Sequence, residues 1–166
     1  MNKKFTEVVS RLEMLSILRR IEAHKIFYRV GLYPGQLHLL EYIIQNDGCT
    51  QKEIADILRV SPASIATSTK RLQKSGLIKK KTDEDNLRKN MLSVTEKGAE
   101  LAEKCRDGFD VFDKKLFGDF SDEELTSVKD HLDRLISNIT DGKGSEIDFC
   151  SIMALRNESK KNIIKE

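Results

Sequence analysis

Residues 60 to 77 read VSPASIATSTKRLQKSGL, a stretch that spells one helix with both of its ends written into it. Ser61 can cap the first free backbone N–H groups, Pro62 suits a first position where no N–H is required, and Val60 is placed to staple onto Ile65. At the far end Gly76 can adopt the left-handed conformation that closes a helix and returns Leu77 onto Leu72. Between these ends Ile65 and Leu72, helped by Ser68 or Thr69, form a narrow inward stripe, while Ser64, Thr67, Lys70, Arg71 and Lys74 point away from it. One side of the helix is therefore short, polar and basic. Such a face suits the DNA major groove, about 12 Å wide, where short hydroxyls approach base edges and later cations meet phosphates. A merely solvated face has the same composition, so the flanking segments must decide.

Upstream, Thr50 and Glu53 have the spacing of a capping box, and Cys49 is placed to staple onto Ile54. The helix they open, Gln51 to Leu58, buries Ile54, Ala55 and Leu58, and Arg59-Val60 turns directly into the polar helix: a helix-turn-helix. Downstream, Ile78 on one side of the polar tip Asp83 to Leu87, and Leu92 and Val94 on the other, alternate with polar residues as in a two-stranded hairpin. This is a wing. Lys79, Lys80 and Lys81 on its first arm and Arg88 and Lys89 on its second set cations beside the polar helix, within reach of a backbone or a minor groove. The acids at the tip either hold Arg88 extended, limit the pull on phosphate, or form a solvated turn.

Charge follows the same division. From Arg59 to Asn90 nine Lys or Arg face three acids, a local net of +6, whereas the remainder carries 20 bases and 24 acids, a net of −4. A basic segment in a mildly acidic body is the footprint of a polyanion-binding surface.

The outer segments are long and amphipathic. Phe5, Val8, Leu12, Leu15, Leu18, Ile21 and Phe27 recur at helical steps over residues 5 to 28, more apolar surface than a terminal helix needs for one partner, so the opening turns are expected at a subunit interface. After Gly31, Pro34 is expected to open a second helix whose inward set is Leu37, Leu40, Ile44 and Tyr42. Thr95 starts a third long helix with the inner row Gly98, Leu101, Ala102, Cys105, Phe109, Phe112 and Leu116. Ser121 and Glu124 form another capping box, after which Leu125, Val128, Leu132, Leu135 and Ile139 repeat at three and four residues, a coiled-coil-like seam. Phe5, Val8, Leu12 and these five residues are the candidate dimer contacts; packing within one subunit is the alternative for the seam. The expected organisation is an N-terminal dimerisation helix (1–30), a winged helix-turn-helix domain (31–97), dimerisation helices (98–140), a short helical arm (145–157) and a disordered tail (158–166). The expected fold is thus mainly α, with a small β-hairpin wing.

The run from the second helix through LRVSPASIATSTKRLQKSGLIKKKTDEDNLRKNMLSVTEKG resembles the winged helix-turn-helix repressors of the MarR family over roughly residues 30 to 100. The resemblance rests on Gly31, Leu32, Pro34 and Gln36, the QKEIA helix, SPASI, RLQKSGLI, the tip from Asp83 to Arg88, and LSVTEKG. It implies a homodimer that places one recognition helix per subunit in successive major grooves of a pseudo-palindromic operator on double-stranded DNA. By position Ser61, Pro62, Ala63, Ser64, Thr67, Ser68 and Arg71 match its recognition-helix contacts and Arg88 its wing arginine, and Lys70, Lys79, Lys81 and Lys89 join them as basic neighbours. Two positions depart from the pattern. Asn86 replaces the Asp usual two residues before the wing arginine, with Asp85 beside it, so Arg88 is held less firmly or by a shifted acid. Tyr33 stands where a Thr or Ser commonly caps the second helix.

The resemblance also implies a repressor released by a small-molecule effector, bound between the dimer helices and the DNA-binding lobe. His24, Phe27, Tyr28, His38 and Tyr42 are candidate lining residues by position alone. Two other readings remain open: a winged-helix module that binds protein or RNA, and a metal-responsive repressor using His38 with Glu41 or His24. Three separated cysteines and three isolated histidines signal neither a disulfide framework nor a metal cluster. The sequence holds no Gly-rich phosphate loop, nucleophile elbow or HExxH, so neither an enzyme nor a cofactor is expected. MNKKFTEVVSRLE lacks the apolar run of a signal peptide, and no stretch approaches the roughly 20 apolar residues of a membrane span, so a cytoplasmic protein without membrane contact is expected.

Overall fold

Local signals open and close nearly every helix in the computed structural model, which describes residues 3–58, 60–82, 90–142 and 152. Helix α1 (Lys3–Val30) stops at Gly31, whose φ of 73° lets the Leu32 N–H reach the Phe27 carbonyl at 3.0 Å. Helix α2 (Gln36–Gln45) starts later than Pro34. Pro34 and Gly35 instead hold the centre of a turn closed by the Gln36 N–H on the Tyr33 carbonyl at 3.0 Å, and Gly35 at φ 87° and ψ −18° has the second central conformation of a type II turn. The missing cap beside Tyr33 is partly replaced, because the Tyr33 N–H donates to Gln36 Oε1 at 2.8 Å.

The next elements are β1 (Cys49–Thr50), α3 (Gln51–Ile57), α4 (Pro62–Lys74), β2 (Ile78–Thr82) and β3 (Asn90–Val94). Thr50 and Glu53 make the expected reciprocal capping box, with the Thr50 N–H on Glu53 Oε2 at 2.7 Å and the Glu53 N–H on Thr50 Oγ1 at 3.2 Å. The hairpin is antiparallel, with Ile78 opposite Val94 and Lys80 opposite Leu92. Sequence periodicity does not reveal β1, which pairs Cys49 with Leu92 and makes the sheet three-stranded in the order β1-β3-β2. Two residues cannot display an alternation, yet they tie the wing's second arm to the start of the helix-turn-helix.

Leu40, Ile43, Ile54, Leu72 and Leu92 are fully buried, one or two from each of α2, α3, α4 and β3, and Ala102 and Cys105 of α5 (Glu96–Phe117) close the same core. Each large apolar side chain so buried contributes about 1.5–3 kcal/mol. In α2 the inward row is Leu37, Leu40 and Ile43 with Leu39, not Ile44. Steps of three keep the first three on one stripe, and the next 100° of rotation carries Ile44 to the flank, 38% exposed.

Helix α6 (Asp122–Ile139) begins with the expected Ser121–Glu124 capping box and then buries no residue at all. Val128, Leu132 and Leu135 are exposed, Ile139 is 83% exposed, and Leu125 is half-buried. The opening turns of α1 are equally bare, with Phe5, Val8 and Leu12 all exposed. The structure therefore has the expected architecture: a small antiparallel sheet and helix-turn-helix carried on long helices. The wing tip, the arm at 145–157 apart from Ile152, and the tail lie outside the described residues.

Candidate nucleic-acid interface

Helix α4 is fixed at both ends by its own sequence. Ser61 accepts the Ser64 N–H at 3.2 Å as its cap, with Pro62 in the first turn. At the other end the Gly76 N–H bonds the Gln73 carbonyl and the Leu77 N–H the Leu72 carbonyl, both at 2.9 Å, with Gly76 at φ 71°. Its inward stripe is Ile65, Thr69 and Leu72. Thr69, not Ser68, completes the stripe. Its hydroxyl donates to the Ile65 carbonyl at 2.8 Å and accepts from Gln51 Nε2 at 2.6 Å, so a polar bond joins α3 to α4 beside their buried apolar side chains.

With that stripe turned inward, Ser61, Pro62, Ala63, Ser64, Thr67, Lys70 and Arg71 are all exposed on the opposite side, and Ser68 is half-buried on the flank facing α2. The Ser61 and Ser64 hydroxyls lie 2.8 Å apart, and the Thr67 hydroxyl donates to the Ala63 carbonyl at 2.9 Å. These internal bonds hold short side chains close to the helix while leaving oxygen lone pairs outward, ready to accept from an exocyclic amino group of adenine or cytosine. Lys79 and Lys80 are exposed on β2 beside the helix. The side chain of Lys81 and the whole of Arg88 and Lys89 lie outside the described residues.

A cavity of about 560 Å³ opens between the start of α2 and the basic flank of α4, lined by Tyr33, Gln36, Leu39, Ser68, Arg71 and Lys74 among others. Sequence reasoning did not find it, because the facing walls lie some 35 positions apart in the chain. Two cations on one wall make it receptive to an anionic group.

A family described as MarR family matches this chain over residues 32–89. The HTH-type transcriptional regulator BilQ of Clostridium symbiosum (strain WAL-14163) is 30% identical over 120 residues, which span 72% of this chain and 79% of BilQ. The chain belongs to the MarR family. YybA of Bacillus subtilis (strain 168), an uncharacterized HTH-type transcriptional regulator, is 28% identical over 139 residues, covering 84% of this chain and 90% of that protein. Among solved structures, MarR is 25% identical with a TM-score of 0.60, covering 82% of this chain and 92% of MarR. An S. aureus MepR–DNA complex is 26% identical with a TM-score of 0.65, covering 76% of this chain and 96% of MepR.

Within this MarR-family fold the five candidate effector residues lie on α1 and α2 and differ in exposure. Phe27 is buried, its ring edge-on to Phe109 at 5.6 Å, and it serves as core between α1 and α5. His24 and Tyr28 lie a turn apart on the exposed side of α1, with Tyr28 89% exposed. On α2, Tyr42 is half-buried, and His38 Nδ1 is 3.6 Å from Glu41, whose other oxygen is 3.5 Å from Arg106 Nε of α5. Among the described residues no three His, Cys, Asp or Glu side chains gather as a metal site, and no helix is long and apolar enough to cross a membrane. Cys49 and Cys105 are buried free thiols. Burial pushes both thiols up, helped by the nearby carboxylates of Glu53 and Glu41 respectively, which keeps them protonated and poorly nucleophilic at neutral pH.

Proposed function

We propose that this MarR-family regulator binds a pseudo-palindromic operator as a homodimer and represses transcription until a small-molecule ligand releases it. The observation that carries the reading is the face of α4. Both ends of the helix are locked, its apolar stripe is wholly inward, and what remains outward is Ser61, Ser64, Thr67, Lys70 and Arg71. The similarity to a MepR structure solved with DNA supports the same use of the fold. Ser61, Pro62, Ala63, Ser64 and Thr67 face the bases. Lys70, Arg71 and Lys79 meet the strands, Arg88 of the wing enters or borders the flanking minor groove, and Lys81 and Lys89 extend the contact along the backbone.

The dimer reading rests on two bare apolar surfaces. Neither the α6 seam nor the opening of α1 is covered among the described residues, and an apolar surface of this kind on a chain of 19.0 kDa supports an interface. Two recognition helices related by a two-fold axis then read half-sites about 34–36 Å apart. An effector acts by binding better to a dimer with mis-spaced helices, and its differential affinity sets how far DNA binding falls. His24, Phe27, Tyr28, His38 and Tyr42 are its candidate contacts by position.

The test is Arg71→Ala on duplexes selected from genomic DNA. Operator affinity is expected to fall by about 1–3 kcal/mol if Arg71 reads a base, or the salt slope to drop by about one if it meets a phosphate. Unchanged affinity and unchanged slope contradict the reading and favour a protein- or RNA-binding module.

A further inference from the structure

The end of α4 is held from outside as well as by its own bonds. The three carbonyls that follow the helix, at Ser75, Gly76 and Leu77, are each taken by the first residues leading into α5. Lys97 Nζ donates to the Ser75 carbonyl at 3.0 Å, the Thr95 hydroxyl to the Gly76 carbonyl at 2.7 Å, and the Thr95 N–H to the Leu77 carbonyl at 3.0 Å. The same Thr95 oxygen accepts the Gly98 N–H at 3.1 Å, so one hydroxyl is at once the cap of α5 and the clamp on α4. Gly98 lies so close to the Leu77 carbonyl, just beyond α4, that no side chain fits between them.

Lys97 belongs to this joint by its charge too. A cation is favoured at the C-terminal, electronegative end of a helix, and its ammonium group is engaged with a carbonyl of α4's closing turn. Helix α5 runs 22 residues from this joint, about 33 Å at 1.5 Å per residue, toward α6. In chain order α4 reaches α5 only through β2, the wing and β3. The three bonds bypass the wing.

The geometry points to Thr95 and Lys97 as positioning residues that latch the recognition helix to α5, so that the long helices of the dimer dictate the spacing of its two recognition helices. This rests on the operator-binding dimer proposed above. Neither residue touches a base; both act through the orientation of α4.

Operator variants with one base pair added or removed between the half-sites test it, since each step shifts the second groove by about 3.4 Å and a tenth of a turn. The wild-type chain is expected to lose at least about tenfold in affinity per step, and a Thr95→Val/Lys97→Met double variant to lose less than about threefold. Thr95→Ser, which keeps the hydroxyl, is expected to restore the wild-type penalty. Lys97→Met alone changes only an exposed side chain, keeps the fold, and is expected to relax the penalty in part. A latch with a merely structural role would weaken all spacings by one factor, and that result overturns the proposal, as does a double variant that keeps the full penalty. Wild-type protein that binds its operator with no spacing preference overturns the latch alone. Wild-type protein that prefers no duplex overturns the operator reading, and the latch with it.

Discussion

Gly98→Ala is expected to destabilise the fold by about 2 kcal/mol net, although helix propensity by itself argues the opposite sign. Within a helix alanine is favoured over glycine by roughly 1 kcal/mol. Here the added methyl would collide with the backbone carbonyl oxygen of Leu77 and lie 2.9 Å from Val94 Cγ1. A backbone oxygen held by the Thr95 N–H cannot step aside without breaking that bond, and overpacking of this kind costs on the order of 3 kcal/mol. Packing wins over propensity. Gly108→Ala is a useful comparison, because its new methyl meets only Ile26 Cγ2, at 2.9 Å, on a side chain that can adjust. Urea unfolding decides the matter: the Gly98→Ala midpoint should fall with an unchanged slope and fall further than that of Gly108→Ala, and a midpoint that rises would contradict the tight joint between α4 and α5.

Leu132→Asp is expected to separate the subunits while leaving each one folded. In the single chain Leu132 is already 41% exposed, and α6 has no buried residue, so the substitution removes little from the subunit's own core. In a paired α6 seam the same carboxylate would be buried without a partner. That penalty, on the order of 4 kcal/mol, weakens the dimer about a thousandfold. Sedimentation equilibrium should show a dimer for the wild-type chain and a monomer for the variant at micromolar concentration, with the helical circular dichroism retained. Operator binding should fall with the dimer. A variant that stays dimeric would remove α6 from the interface.

What could be read in the sequence was what neighbouring residues decide between themselves. Ser61 and Gly76 bound α4, Thr50 with Glu53 and Ser121 with Glu124 cap their helices, and each works over three or four positions. The family resemblance of SPASI, RLQKSGLI and LSVTEKG drew on the same local runs. Illegible features needed partners far apart in the chain or too few residues to show a pattern. Strand β1 is two residues long. Ser68 and Thr69 are a single helical step apart, and only the amide of Gln51, 18 positions earlier, singles out Thr69 as the inward member. The choice between Ile43 and Ile44 turned on a rotation of 100°, which the rest of α2 fixes by its packing. Thr95 announced itself as a helix cap, whereas its second bond, to a carbonyl 19 positions back, exists only once the wing has folded over. The apolar seam of α6 was plain as a pattern, and it took the folded chain to show that it stays exposed among the described residues.

Two chains are expected to grip one duplex at two equivalent places through α4. Sedimentation of the protein with an operator-length duplex, at moderate salt and alongside a scrambled duplex of the same length, tests it most directly. The expected result is a complex of two chains per operator that the scrambled duplex fails to compete away. A single chain in solution that shows no preference between the two duplexes would contradict it.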